Sequence, residues 1–395
     1  MKKKILIVDD SALMRRVLRD IINSDDRFEV ADEAHDGAEG FKLIVAHNYD
    51  AVVLDVYMPR MNGLDMLREM QKSNVSANVM MASTTTSEGA RETLDALELG
   101  AIDFIKKPEN VADARHTEFR EQFLSILDVV ASAKTSIRRS VKPSTTDSTR
   151  KFSSRYDVNF HTKGESDIKR LENAGISRTG HSDKAQNAGI PADVVVKPHT
   201  QVSGEKIVAI ASSTGGPRAL QEVIPLLPAN LNAPVLLVQH MPKGFTKSLA
   251  DRLNDLSKIT VSEAFDGEKV EKGHVYIAPG GLHMKLVKRT SGYVISLTDE
   301  PSREGVKPCA NYMYESLCDS DFSEVTCAVL TGMGQDATVG IKALNEKKKI
   351  FCVAQDEETS TVYGMPKAIA KTGLCNSVVP LNLVADQIIK NVGVR

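Results

Sequence analysis

At 395 residues, with 26% charged and a net charge of −2, the chain is long enough for two ordinary domains and a connector. It has no global basic field that would draw it to nucleic acid or an anionic membrane. No apolar run approaches the roughly 18–20 residues that span a bilayer, so no membrane insertion is expected. The opening MKKKILIVDD has too short an apolar core for a secretory signal and ends in carboxylates. The five cysteines, Cys309, Cys318, Cys327, Cys352 and Cys375, all lie in the C-terminal half without a C-x-x-C pair. That predicts structural thiols in a reducing cytoplasm rather than a metal site.

In chain order, Ile5–Val8 reads as a strand and Ser11–Ile22 as a helix with Leu13, Val17, Leu18 and Ile21 on one face. Val30–Ala34 is a second strand and Gly37–Ala46 a second helix. Ala51–Leu54 is a strand that ends at Asp55, followed by helix Gly63–Gln71 and strand Val79–Ala82. Glu88–Leu99 is an amphipathic helix closed by Gly100, and Ile102–Ile105 is a strand. Lys107-Pro108 breaks the chain before a last helix reaching about Ala133. Five such alternations predict a doubly wound parallel sheet.

The chemistry of this region sits at its strand ends. Asp9 and Asp10 close the first strand and Asp55 the third. Converging carboxylates repel one another unless a hard divalent cation neutralises them, and oxygen ligands suit Mg²⁺. One carboxylate can then accept a phosphoryl group while the metal and Lys107 share the charge. The plainer alternative is a set of strand-end acids that cap helices. The segments VDDSALMR, DVYMPRMNG and IDFIKKP carry a close resemblance to the response-regulator receiver family from Met1 to about Ala133. The resemblance implies that Asp55 is phosphorylated, with Asp9 and Asp10 helping to hold Mg²⁺. It implies that Lys107 contacts the phosphoryl group, that Ser83 is the switch hydroxyl and that Phe104 is the switch aromatic. Ser83-Thr-Thr-Thr86 offers four hydroxyls in a row, which leaves the switch position open. Tyr57 departs from the acidic residue common at its place, where only a backbone carbonyl is expected at the metal.

From 134 to 205 the chain is rich in Ser, Thr, Lys, Arg, Asn and Gly and poor in large apolar residues. Such a segment cannot bury enough surface to offset its ordering entropy. It reads as a flexible linker with a transient helix near Ile168–Ala174. His161, His181 and His199 lack metal spacing and read as solvated, as does the basic pair Arg138-Arg139.

The remaining residues, 206–395, begin with a strand-type run that meets a sharp turn in VAIASSTGGP, residues 208–217. Gly215 and Gly216 permit the turn and Pro217 suits the first turn of a helix. Ser213 would be lifted off the sheet, beside helix-start N–H groups able to stabilise an oxyanion. That is the logic of a nucleophile elbow, with Ala211 where the best-known elbow has glycine. The alternative is a tight turn with a capping Ser or Thr. Val235–Val238 delivers His240 at a strand end, and Ala328–Leu330 leads into the loop TGMGQD that carries Asp336. Taken singly, His240 reads as a satisfied histidine and Asp336 as a helix N-cap. Taken together, Ser213, His240 and Asp336 fit nucleophile, base and orienting carboxylate at one edge of a parallel sheet. Leu220–Leu227 and Ile341–Leu344 read as core faces, and His283 either lines the cleft or is structural.

The segments ASSTGGP, VQHMPKGFT, HVYIAPGGLHM, LTGMGQD and AQDEETSTVYGMPKA occur in that order from about Lys206 onward. Together they resemble the bacterial chemotaxis protein-glutamate methylesterase/glutaminase family. The resemblance implies Ser213 as nucleophile, His240 as base and Asp336 as its partner, with the backbone of Met333 helping to form the oxyanion hole and Thr214 beside the nucleophile. No cofactor is expected in this part. Ser212 stands where the family usually has alanine and Gln335 where asparagine is usual. KPCANYMY (307–314) replaces a segment that normally carries Ser-Val-Asp, which bears on the shape of the substrate cleft.

The sequence therefore predicts two doubly wound parallel-sheet α/β domains joined by a long flexible linker: a receiver at 1–133, a linker at 134–205 and a serine hydrolase at 206–395. The implied activity is a phosphorylation-activated hydrolase of glutamate γ-methyl esters, with deamidation of specific glutamines. Its implied partners are methylated chemoreceptors and a chemotaxis histidine kinase as phosphodonor, in the cytoplasm. Two other readings stay open: a phospho-switched scaffold, and an esterase acting on a signalling protein outside chemotaxis.

Overall fold

Central strands of a parallel sheet are covered on both faces and need apolar side chains throughout, and that constraint orders both sheets of this chain. The computed structural model describes residues 1–83, 87–108, 117–133, 195–197 and 199–395. The expected helix at Ile168–Ala174, His161, His181, Arg138-Arg139 and Thr84–Thr86 lie outside the described residues. Met1–Thr135 and Asp193–Arg395 belong to one compact unit.

The first sheet contains β1 (Lys3–Val8), β2 (Phe28–Ala34), β3 (Ala51–Asp55), β4 (Val79–Ser83) and β5 (Asp103–Lys106). Its order is β2-β1-β3-β4-β5, parallel throughout. Strands β3 and β4 are buried at every position, whereas β2 at the edge is not. Between the strands run α1 (Ala12–Asn23), α2 (Gly37–Ala46), α3 (Gly63–Lys72), α4 (Ser87–Glu98) and α5 (Thr117–Ser132). The first three start on side-chain caps, with Ser11, Asp36 and Asn62 accepting from the N–H of Met14, Glu39 and Asp65. Helices α1 and α5 cover one face, against Ile5, Ile7, Val53 and Ile105. Helices α2, α3 and α4 cover the other, against Leu6, Val8, Leu54 and Met81. On α1 the core face is Val17, Leu18, Ile21 and Ile22. Leu13, expected on that face, is instead 57% exposed.

The second sheet is built from β6 (Val195–Val196), β7 (Lys206–Ser212), β8 (Val235–Gln239), β9 (Thr260–Glu263), β10 (His274–Ile277), β13 (Glu324–Val329), β14 (Lys349–Gln355) and β15 (Ser377–Val379). The order is β6-β15-β14-β13-β7-β8-β10-β9, and β6 alone runs antiparallel to its neighbour. A separate hairpin, β11 (His283–Arg289) with β12 (Gly292–Thr298), stands beside it. The helices are α6 (Gly216–Val223), α7 (Phe245–Leu256), α8 (Ala310–Ser316), α9 (Thr338–Lys347), α10 (Met365–Ala370) and α11 (Leu381–Val392). As expected, Leu220, Val223, Leu227, Ile341 and Leu344 are core. Four of the cysteines are buried, Cys318 is partly so, and all are free thiols. No helix among the described residues is long and apolar enough to cross a membrane.

Residues 195–205 correct the reading of the linker's last stretch. Strand β6 adds to the β15 edge, and Lys197 Nζ donates to the Gly373 carbonyl at 2.7 Å. His199 is not solvated: its Nε2 lies 2.8 Å from Glu324 Oε1. Glu324 is fully buried and also meets Lys206 Nζ at 2.8 Å and Asn391 Nδ2 at 2.9 Å. Edge pairing uses backbone groups, so a polar composition does not forbid it.

Removing one partner of a buried ion pair leaves an uncompensated charge, at a cost of about 3–5 kcal/mol. Lys206→Met should therefore lower the free energy of unfolding in urea by that much and shift the midpoint down, and Lys206→Met with Glu324→Gln should recover most of the loss. A wild-type midpoint in Lys206→Met would show that the pair is dispensable.

Candidate active site

Strand β7 ends at Ser212 and α6 begins at Gly216, so the chain must reverse over Ser213–Gly215. Gly215 takes a left-handed φ of 75°, and a Cβ on Gly216 would fall 1.9 Å from Gln239 Oε1. The Gln239 side chain pins the turn. It accepts from Ser212 Oγ at 2.7 Å and donates to the carbonyls of Ser213 at 3.0 Å and His240 at 3.1 Å. Ser212 is fully buried in this contact, whereas Ser213 is only partly buried.

His240 follows β8 directly, and its Nε2 lies 2.7 Å from Asp336 Oδ2. Asp336 leaves the loop after β13 but does not cap α9, whose N-cap is Ala337. Its carboxylate instead sits on the start of α8. Oδ2 accepts from Ala310 N–H at 2.6 Å; Oδ1 accepts from Asn311 N–H at 2.9 Å, Ala337 N–H at 2.7 Å and the Cys309 thiol at 3.1 Å. Burial alone would raise this carboxyl, but the bonds from His240, Ala310 and Cys309 prevail and hold it at about 2. Asp336 is thus ionised at neutral pH and Nε2 carries the shared proton, which leaves Nδ1 as the nitrogen for a hydroxyl. Among the described residues no hydrogen bond joins the Ser213 hydroxyl to the imidazole.

The loop after β13 approaches the turn closely. A Cβ on Gly332 would lie 2.7 Å from Ser213 Cβ. Ser213 N–H donates to the Thr331 carbonyl at 3.0 Å, so it is not free for an oxyanion. Met333, next in that loop, is 37% exposed. Thr214 is buried, and its Oγ1 donates to Asp103 Oδ2 on β5 at 2.5 Å.

That contact belongs to a wider face. Phe104 stacks on Phe245 of α7 with ring centroids 4.7 Å apart, and Arg252 pairs with Glu98 and, at 3.8 Å, with Asp95 of α4. Ser125 of α5 meets Met333 Sδ at 3.6 Å. The α4–β5–α5 side of the first sheet therefore packs over α7 and the loops that flank Ser213. Burial at this face pushes the Asp103 carboxyl up to about 6, with the Thr214 hydroxyl opposing it.

At the first sheet's strand ends, Asp9 and Asp55 are buried and Asp10 is exposed. Each of the three offers an oxygen within 4.8 Å of the others. Lys107 Nζ stands 2.6 Å from both Asp9 Oδ2 and Asp55 Oδ2. Burial raises the Asp55 carboxyl to about 6 against the pull of Lys107, with Asp9 adding to the rise. An all-oxygen set of this charge fits a hard divalent cation. The Ser83 hydroxyl is fully buried and accepts from Thr93 Oγ1 at 2.7 Å. The Tyr57 side chain is 40% exposed.

Nothing in the local sequence announces the role of Gln239, the α8 cradle, or the contacts of Asp103, Asp95, Glu98 and Arg252. The departure at 307–314 is the one sequence signal that falls on the cradle, although by itself it points to cleft shape.

The chain matches the CheB methylesterase family over residues 208–388 and the response regulator receiver domain over residues 5–117. It is 39% identical over 391 residues to the protein-glutamate methylesterase/protein-glutamine glutaminase of Pyrococcus horikoshii, covering 99% of this chain and 94% of that one. It is 38% identical over 387 residues to the Bacillus subtilis protein of the same name, covering 98% and 97%. A solved structure of the Thermotoga maritima CheB methylesterase catalytic domain is 40% identical, covers 48% of this chain and 99% of that one, and superposes with a TM-score of 0.46. With such identity over nearly the full length of both relatives, the chain belongs to the CheB methylesterase family and carries a response regulator receiver domain ahead of the methylesterase region.

Proposed function

We propose that the chain is a receiver-controlled protein-glutamate methylesterase and protein-glutamine glutaminase acting on methylated chemoreceptors. The observation that carries the chemistry is the His240–Asp336 pair at the strand ends beside the partly buried Ser213. In this reading His240 Nδ1 takes the proton of the Ser213 hydroxyl as Oγ attacks the γ-carbonyl of a glutamyl methyl ester. The tetrahedral oxyanion meets the Met333 N–H, since the N–H of Ser213 is already committed. His240 returns the proton to the departing methoxide, methanol leaves, and water frees the glutamate from the acyl-enzyme by the same route. A glutamine amide follows the same path with ammonia as leaving group.

The receiver supplies control. Asp55 is the phosphoryl acceptor, with a histidine kinase as donor. Asp9, Asp10 and Asp55 would hold Mg²⁺, which neutralises the charge of the transferring group when bound. Lys107 shares that charge, while Ser83 and Phe104 report it. Phe104 lies in the covering face, so phosphorylation biases the chain from a covered toward an uncovered packing. The division into a receiver at 1–133, a connector at 134–205 and a catalytic domain at 206–395 follows, with the last part of the connector fastened to the catalytic domain. The cytoplasm, where receptor signalling helices and kinase lie, is the matching compartment.

Methanol release from methylated receptor tests the nucleophile. Ser213→Ala and His240→Ala should each lower kcat on the order of 10⁴–10⁶-fold, while Ser212→Ala, which loses only its bond to Gln239, should stay active. The reverse pattern would move the nucleophile to Ser212.

The face itself should be pH-sensitive. Burial in the covered packing raises the Asp103 carboxyl; uncovering would return it to water and remove that cause, so in this reading covering takes up a proton. Covering is thus favoured as pH falls through about 6 and disfavoured above it. Asp103→Asn imitates the protonated form at every pH. Without phosphodonor, the ratio of wild-type to Asp103→Asn turnover should fall by up to about tenfold from pH 7 to pH 5. A flat ratio would remove Asp103 from the covering equilibrium.

A further inference from the structure

His283 opens β11 and is fully buried, yet it reaches neither Ser213 nor His240. Its Nδ1 accepts from the Cys309 N–H at 3.1 Å, and its Nε2 lies 3.1 Å from the Pro301 carbonyl. An acceptor at Nδ1 and a carbonyl at Nε2 define one neutral tautomer, with the proton on Nε2. Around the ring lie Tyr312, with centroids 4.5 Å apart, and the charges of Lys285, Lys307 and Glu300. Burial pushes the imidazole below its ordinary value; the Pro301 carbonyl and Glu300 oppose this, and Lys307 and Lys285 add to it.

The Cys309 peptide is the N-cap of α8, and the next two N–H groups of that helix bind the Asp336 carboxylate. The turn before His283 packs on the other partner's loop: a Cβ on Gly280 would lie 2.4 Å from the Pro242 carbonyl carbon. Pro242 is two residues beyond His240, so the segment around His283 touches the supports of both halves of the His240–Asp336 pair.

We propose that His283 is a positioning residue for hydrolysis: its neutral imidazole fixes the start of α8, whose N–H groups and Cys309 thiol hold Asp336 against His240. The assignment rests on the hydrolytic reading of Ser213, His240 and Asp336. A buried carboxylate orients an imidazole only as well as its own cradle is fixed, and displacements near 1 Å cost on the order of 10²-fold in rate.

The test uses the full chain with acetyl phosphate and Mg²⁺, comparing His283→Asn, His283→Gln and His283→Leu. Asparagine places a carbonyl where Nδ1 accepts, glutamine reaches only the Nε2 position, and leucine supplies neither. The measurements are kcat and KM for methanol release and the low-field proton resonance of His240 Nε2–H. His283→Asn should retain most of kcat and the resonance. His283→Gln and His283→Leu should lose the resonance and about 10–100-fold in kcat, with KM unchanged. Glutamine equal to wild type, or asparagine failing as badly as leucine, would overturn the assignment. A wild type that releases no methanol would count against the Ser213 reading, and the resonance comparison would still decide the role of His283.

Discussion

A carboxylate taken out of water must be met by donors or it neutralises. Asp336 is met by the α8 start, the Ala337 N–H and the Cys309 thiol, and so stays ionised while buried. Much of the second sheet's edge serves that condition. The loop after β13 carries the acid, β8 brings His240 to it, and the turn after β7 presents Ser213 alongside. Because each group leaves a different strand end of one parallel sheet, their separation is set by sheet geometry rather than by any one loop.

The second constraint is adjacency along β5. Asp103 bonds the residue next to Ser213, and Phe104, its neighbour, stacks on α7. Lys107, just past the strand, pairs with Asp55. The five residues Asp103–Lys107 therefore link the Asp55 carboxylate to the contacts with Thr214 and α7. The Ser83 hydroxyl, bonded to Thr93 of α4, lies on a parallel route, since α4 also carries Asp95 and Glu98 of that face.

The elements legible in the sequence are those with local cause. The strand runs, capping residues and glycine turns around Asp9, Asp55, Ser213 and His240 depend on near neighbours. The turn at Gly215-Gly216 singles out Ser213 rather than Ser212, and the structure gives each serine a different environment. What escaped depends on distant partners. Cys309 and Asp336 are 27 residues apart, and Thr214 and Asp103 are 111 apart, with no periodicity to announce either. Leu13 fits the apolar stripe of α1 but is exposed in its first turn. The composition around His199 points to solvent, whereas its partner Glu324, 125 residues on, is set by tertiary burial.

The central claim is that phosphorylation at Asp55 uncovers a serine hydrolase. Methanol release from methylated receptor, with and without acetyl phosphate plus Mg²⁺, in wild type and Asp55→Ala, tests it most directly. The account predicts a roughly 10–100-fold rise in wild type, as expected for a modest interdomain packing energy, and no rise in Asp55→Ala. An unchanged rate in wild type that has taken up the phosphoryl group, or an equal rise in Asp55→Ala, would contradict it.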